Sequence, residues 1–396
     1  MLGKRLYWYL AAACAVVGLA GGLAFAIARA GGNSVLPEQP ATPANPGAGN
    51  NLKLLDSGSD AIQFPAFLGP IQGRPTDITV DDSGRVWAAS IDEDGSLWLN
   101  EGQPQSEIQH YRIPTKSVPS NAELAMAGKG ELVIGAGQEL IRFNLQTLAY
   151  STLTLPAKQT DAASSQQGVG AVVDLHVDAG YAYVSRFGEP GITRVSLGDE
   201  AVEVISVPEQ FADFDHFLVT GQLIWLLRTA DTQNGPDSQI GMLDTASGKL
   251  TVVDGKVRTA APFKSGILAL RWDPQDIAYV DSSGAHPIDV PGLDTYISTM
   301  GPDARISIAP DGQTVWISDV TSNSILRVSL TDLSIQSYPL PMWQLPGSGP
   351  NCPNGGDCSH VFDVRTRVVA IDTSSNGDVY FAEDTINRLG LILLNQ

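Results

Sequence analysis

The stretch Gly377-Asp378-Val379-Tyr380-Phe381-Ala382-Glu383-Asp384, followed by Asn387-Arg388-Leu389-Gly390-Leu391-Ile392, decides the fold. Asn376-Gly377 ahead of it suits a tight hairpin turn because Asn and Gly tolerate positive φ, and the apolar runs before and after Asp384 read as consecutive strands. The same grammar recurs upstream at Val86-Trp87, Leu132-Val133, Ala182-Tyr183, Ile224-Trp225, Ile267-Leu268 and Val315-Trp316, at a period of roughly 40–50 residues, and Val379-Tyr380 makes the seventh copy. Asp82-Ser83-Gly84 and Asp311-Gly312 hold the corresponding turns. A third apolar run follows most copies (Ile141-Arg142-Phe143, Ile325-Leu326-Arg327-Val328), and then a fourth ending in Pro (Leu153-Thr154-Leu155-Pro156, Tyr338-Pro339-Leu340-Pro341). Four short strands per unit over seven units predict an all-β, seven-bladed β-propeller spanning residues 61–396, with the Trp and Tyr of each pair packed between blades.

The last copy ends after its third strand, and a ring with an unpaired edge is an aggregation hazard. Ala61-Ile62-Gln63-Phe64-Pro65 matches the outer-strand pattern of Glu107-Ile108-Gln109-His110-Tyr111 and of Ser334-Ile335-Gln336-Ser337-Tyr338-Pro339. The strand at 61–66 is therefore expected to pair with residues 389–394 of the last blade and close the circle.

The closing copy resembles the repeat of the streptogramin B lyase family and, more loosely, of NHL-type propellers; the resemblance runs over residues 77–396. It implies the propeller fold. It also implies metal-assisted elimination on a cyclic depsipeptide, with a His base and acidic and His residues around magnesium. The five histidines here, His110, His176, His216, His286 and His360, are scattered along the chain rather than gathered in one catalytic segment. His176 is expected on the inner strand of the third blade.

Composition narrows the partners. With 24 Lys and Arg against 43 Asp and Glu, the net charge of −19 repels phosphate backbones, so nucleic acid is not an expected partner. Residues 6–28 carry no charge and would span about 35 Å as a helix, enough for one membrane crossing. Lys4 and Arg5 precede the run, so residues 1–5 are expected in the cytoplasm and the propeller outside a bacterial cytoplasmic membrane. Ala28-Arg29-Ala30 leaves a cleaved signal peptide as the competing reading. Gly18 and Gly22 form a small-residue face for helix packing. Residues 29–60, with Pro37, Pro40, Pro43 and Pro46, read as a flexible tether.

Aligning the copies on their apolar–aromatic pair places Ser90, Ala136, Arg186, Arg228, Arg271, Asp319 and Glu383 at the end of the second strand. Arg186, Arg228, Arg271, Asp319 and Glu383 are the candidate binding residues on the rim of the central channel. The Arg fork suits carboxylate, phosphate or sulfate, and pairing with the abundant acids is its structural alternative. The long connections 157–171, 229–238 and 342–365 are expected on the same face as this arc. Cys352 and Cys358 are spaced for a disulfide in an oxidising exterior, with a zinc site including His360 as the rival.

The function expected is that of a membrane-anchored, extracytoplasmic binding or assembly module, without catalytic residues or cofactor, for a membrane-complex or cell-envelope partner. The alternative is a metal-dependent lyase or hydrolase of the streptogramin B lyase type, with Glu383 and Asp319 on a divalent cation such as magnesium.

Overall fold

The computed structural model describes residues 66–393, apart from 105, 129, 157–168, 229–230, 233–234, 237, 254, 302–303, 320–322, 341 and 347–360. Seven four-stranded antiparallel sheets make up the ring. Blade 1 runs from Arg74–Val80 to Gln109–Ile113, blade 2 from Ala122–Met126 to Tyr150–Thr154, and blade 3 from Val172–Asp178 to Val202–Ile205. Blade 4 runs from His216–Thr220 to Leu250–Val253, blade 5 from Lys256–Phe263 to Gly284–Ile288, and blade 6 from Arg305–Ile308 to Ile335–Pro339. The first strand of each blade touches the first strand of the next all the way round, and the seventh meets the first.

Blade 7 is assembled from both ends of the ring. Val368–Thr373, Val379–Glu383 and Arg388–Ile392 supply three strands, and Ala66–Pro70 supplies the fourth, with Ala66 opposite Leu391 and Pro70 opposite Arg388. The leading segment thus closes the circle through residues 66–70. Of the expected strand 61–66, Ala66 is described and pairs with Leu391, and residues 61–65 lie outside the described residues. The described part of the closing strand, Ala66–Pro70, continues the pairing beyond the expected bound at residue 66.

The apolar core is divided by blade junction. The clusters found among the described residues fall one to each of the seven junctions. Trp87, Trp225 and Trp316, from the repeated pair, have no exposed surface, and Tyr380 has 2 %. Trp87 packs with Tyr111 of its own blade and with Phe143 of the next at ring-centroid distances of 6.1 and 6.0 Å. The repeated aromatic is therefore the inter-blade wedge, as its spacing implied.

The turns between first and second strands are short, with Gly84, Gly312 and Gly377 at positive φ. Antiparallel order puts the second-strand ends and the inter-blade connections together on the opposite face, the connection face. There Met342–Pro346 pairs with Val361–Arg365 as a ribbon outside the seven blades. Another ribbon, Asp231–Thr232 against Gly235–Pro236, belongs to a separate compact unit. Among the described residues no helix is long and apolar enough to cross a membrane. The expected span at 6–28, with Gly18 and Gly22, and the pair Cys352 and Cys358 lie outside the described residues.

Candidate functional site

All five rim residues sit at the end of a second strand or within two residues of it, but most are enclosed. Arg186, Arg271, Asp319 and Glu383 keep 6, 5, 2 and 0 % of their surface exposed. The arginines are held locally. Arg186 pairs with Glu189 at 2.5 Å and donates to Pro156 O at 2.8 Å. Arg228 donates to Gln239 Oε1 at 2.7 Å and Gln210 O at 3.0 Å. Arg271 forms a two-pronged pair with Asp276, at 2.6 and 2.5 Å. Arg186 and Arg228 tie down the connections that enter their own blades, and Arg271 braces the hairpin between the second and third strands of blade 5.

Asp319 accepts the Gly301 N–H at 3.3 Å. Glu383 accepts the Ile386 N–H at 3.0 Å through Oε1, while Oε2 has no hydrogen-bond partner among the described residues. Burial pushes its carboxyl up to about 7. Glu383 is enclosed and belongs to no cluster of metal-ligating side chains among the described residues, so it does not fit the magnesium role that the lyase alternative gives it. Among the described residues no group of three or more His, Cys, Asp and Glu is arranged to hold a metal ion.

The structure also brings together a set of residues that the sequence reading passed over. On each first strand, one residue pairs with the position two beyond the repeated apolar–aromatic pair's second member. These residues are Asp77, Glu123, Asp174, His216, Thr259, Arg305 and Ala370 in blade order. They form one tier around the central channel. Glu123 in blade 2 interacts electrostatically with Asp77 and Asp174 in the adjacent blades and also with Arg305 in blade 6. Blades 2 and 6 are not neighbours in the ring, so the interaction between Glu123 and Arg305 runs across the channel.

Three acids on these inner strands bridge neighbouring blades. Asp77 accepts Leu124 N–H at 2.8 Å, Asp174 accepts Phe217 N–H at 3.0 Å, and Asp372 accepts Val80 N–H at 2.9 Å. Each also accepts the N–H of the residue that follows it. Water reaches this depth, since the Asp174 and His176 side chains retain 11 and 25 % exposure, but solvation falls far short of bulk. Burial accordingly pushes Asp77 up to about 7 and Asp372 to about 6, against the opposing effect of their backbone N–H donors. Glu123 is raised well above the usual carboxylate range by burial and by Asp77 and Asp174.

Asp174 goes the other way. Burial would raise it, but the His216 hydrogen bond, both imidazoles and the Phe217 N–H outweigh that and hold it low. His176 does lie on the inner strand of blade 3, with its ring edge-on to Phe217 at 5.0 Å, and burial lowers its pKa. His216 reaches the same carboxylate at 3.5 Å with its side chain 55 % exposed.

A closed ring of seven radial sheets, a polar channel and a connection-rich face define a seven-bladed β-propeller. Streptogramin B lyase is similar over 84 % of this chain and 98 % of its own, at 15 % identity and a TM-score of 0.57. The WD40 propeller domain of Doa1 aligns over 85 % of this chain and 97 % of its own, at 15 % identity and a TM-score of 0.55. The propeller domain of Cps50 (Swd1) from Myceliophteria thermophila aligns over 83 and 98 %, at 12 % identity and a TM-score of 0.54. At these identities the likeness is one of fold. No protein-family model and no curated protein matches the chain.

Proposed function

We propose that this protein is a binding or assembly module, tethered to the outer face of a bacterial cytoplasmic membrane through residues 6–28, whose connection face receives a protein partner. One observation carries the reading: the ribbon formed by Met342–Pro346 and Val361–Arg365 is built outside the seven blades, on the connection between blades 6 and 7. Strand pairs added to a rigid ring serve recognition more readily than stability. The buried, locally paired arginines support a scaffold role for the rim, and the propeller domains of Doa1 and Cps50 share the fold.

Replacing residues 347–360 with a short Gly-Ser turn tests this reading. The variant is expected to keep the circular dichroism and melting temperature of the parent, and to lose the partner that the parent retains on purification from membranes. Equal retention by both proteins contradicts the proposal. Protease protection in intact spheroplasts, before and after permeabilisation, tests the side of the membrane: cleavage of the propeller is expected without permeabilisation.

A further inference from the structure

We propose that the central channel binds a small molecule carrying both a primary ammonium and a carboxylate, held among Glu123 of blade 2, His216 of blade 4 and Arg305 of blade 6. This site is independent of the connection face and makes no use of the rim residues.

The argument rests on charges of both signs kept apart in one wet channel. Arg305 donates from Nε to Val369 O at 3.2 Å and from Nη1 to Ala304 O at 3.3 Å, and it forms no ion pair among the described residues. Yet Asp77, Glu123, Asp174 and Asp372 line the same channel. A half-buried guanidinium with such neighbours ordinarily collapses onto one of them, because leaving it unpaired is costly. Here three of the four acids are pinned to backbone N–H groups of their own and the next blade.

Glu123 is the exception. Its one hydrogen bond to a described group comes from Asn121 Nδ2, at 2.5 Å to Oε1. His216 turns Nδ1 toward Asp174, which leaves Nε2 for another partner. Glu123, His216 and Arg305 are therefore the charged and imidazole members of the tier with bonding capacity to spare, and they are spread round the channel on blades 2, 4 and 6. The guanidinium offers a planar fork that matches a carboxylate, and a carboxylate with an imidazole nitrogen accepts from an ammonium's three N–H groups.

The protonation state gives the site a signature. Burial and its acidic neighbours raise the Glu123 carboxyl well above the usual carboxylate range in the empty channel, which favours its protonated form. An arriving ammonium favours the ionised form, so binding should release a proton.

The full-length protein in detergent, screened by thermal shift against the proteinogenic L-amino acids and the ω-amino acids up to 6-aminohexanoate, tests the proposal. Hits are followed by calorimetry in two buffers of different ionisation enthalpy. At least one zwitterion is expected to bind saturably with proton release, and ethylammonium and acetate at least about tenfold more weakly, since each makes half the contacts. Arg305→Gln should weaken the zwitterion about ten- to a hundredfold and leave ethylammonium unaffected. Arg305→Lys, which keeps the charge, should recover part of the loss, and Glu123→Gln should abolish proton release. Saturable binding by none of the probes, or binding untouched by either Gln variant in a protein that still melts like the parent, overturns the proposal.

Discussion

Asp77 on the inner strand of blade 1 is hydrogen-bonded to Leu124 on the inner strand of blade 2, its Oδ2 accepting the Leu124 N–H at 2.8 Å. The pair joins two sheets that are otherwise held by apolar packing and by the Thr76 hydroxyl, which donates to Ala122 O at 2.7 Å. Asp77→Ala leaves that inner-strand donor unsatisfied, and urea unfolding should show a loss of about 1–3 kcal/mol. Asp77→Asn retains an acceptor oxygen and should lose less.

The same carboxyl sets a pH dependence. Asp77 is raised to about 7 and Asp372 to about 6 in the folded chain, above their unfolded value of 3.8. Between these values the folded state holds more protons than the unfolded one. Stability is then full below about pH 4 for these groups and falls as the pH rises through 6 and 7. The groups facing Asp77 are Asp372, Asp174 and Glu123. Melting temperature is expected to drop between pH 5.5 and 8, and Asp77→Asn should flatten that slope; a parent protein whose stability rises over this range contradicts the assignment.

Arg271 and Asp276 form an enclosed, two-pronged ion pair of the rim, with side chains 6 and 18 % exposed. Removing one partner of such a pair strands the other. Arg271→Met should cost about 3 kcal/mol or more in denaturant unfolding, while the double change with Asp276→Leu should recover most of it. A rim arginine that serves a ligand alone would show no such coupling.

Gly390 lies opposite both Phe381 and the closing-strand residue Phe67. A methyl group at Gly390 would overlap the fully buried Phe381 ring. Gly390→Ala should therefore destabilise by about 1–3 kcal/mol, read as a lower urea midpoint. Gly84→Ala on the opposite face meets no atom, but its φ of +81° gives it a smaller cost of about 1 kcal/mol.

The ring was legible because its wedge residues recur in the sequence. Trp87, Trp225, Trp316 and Tyr380 follow turns that recur blade after blade, and the recurrence follows from the fold. The channel tier was not legible, for a geometric reason. Bulges at Pro75/Asp77, at Val172/Asp174 and at Val368/Ala370 break the alternation of the inner strands, so Asp77, Asp174 and Ala370 cannot be aligned by counting. Only the pairing to the second strand restores the register. The rim arginines were placed in the right register, but their partners depend on turn geometry: Arg271 and Asp276 meet across a hairpin, and Arg228 reaches the loop at Gln210.

Both the rim and the channel depend on the circle being closed by Ala66–Pro70, and hydrogen–deuterium exchange across residues 388–392 tests that closure most directly. In the full chain these amides should be protected as inner-sheet amides are, and removal of residues 1–70 should raise their exchange by orders of magnitude while strands of blades 3 and 4 stay protected. Equal exchange at 388–392 with and without the leading segment would contradict the closed ring.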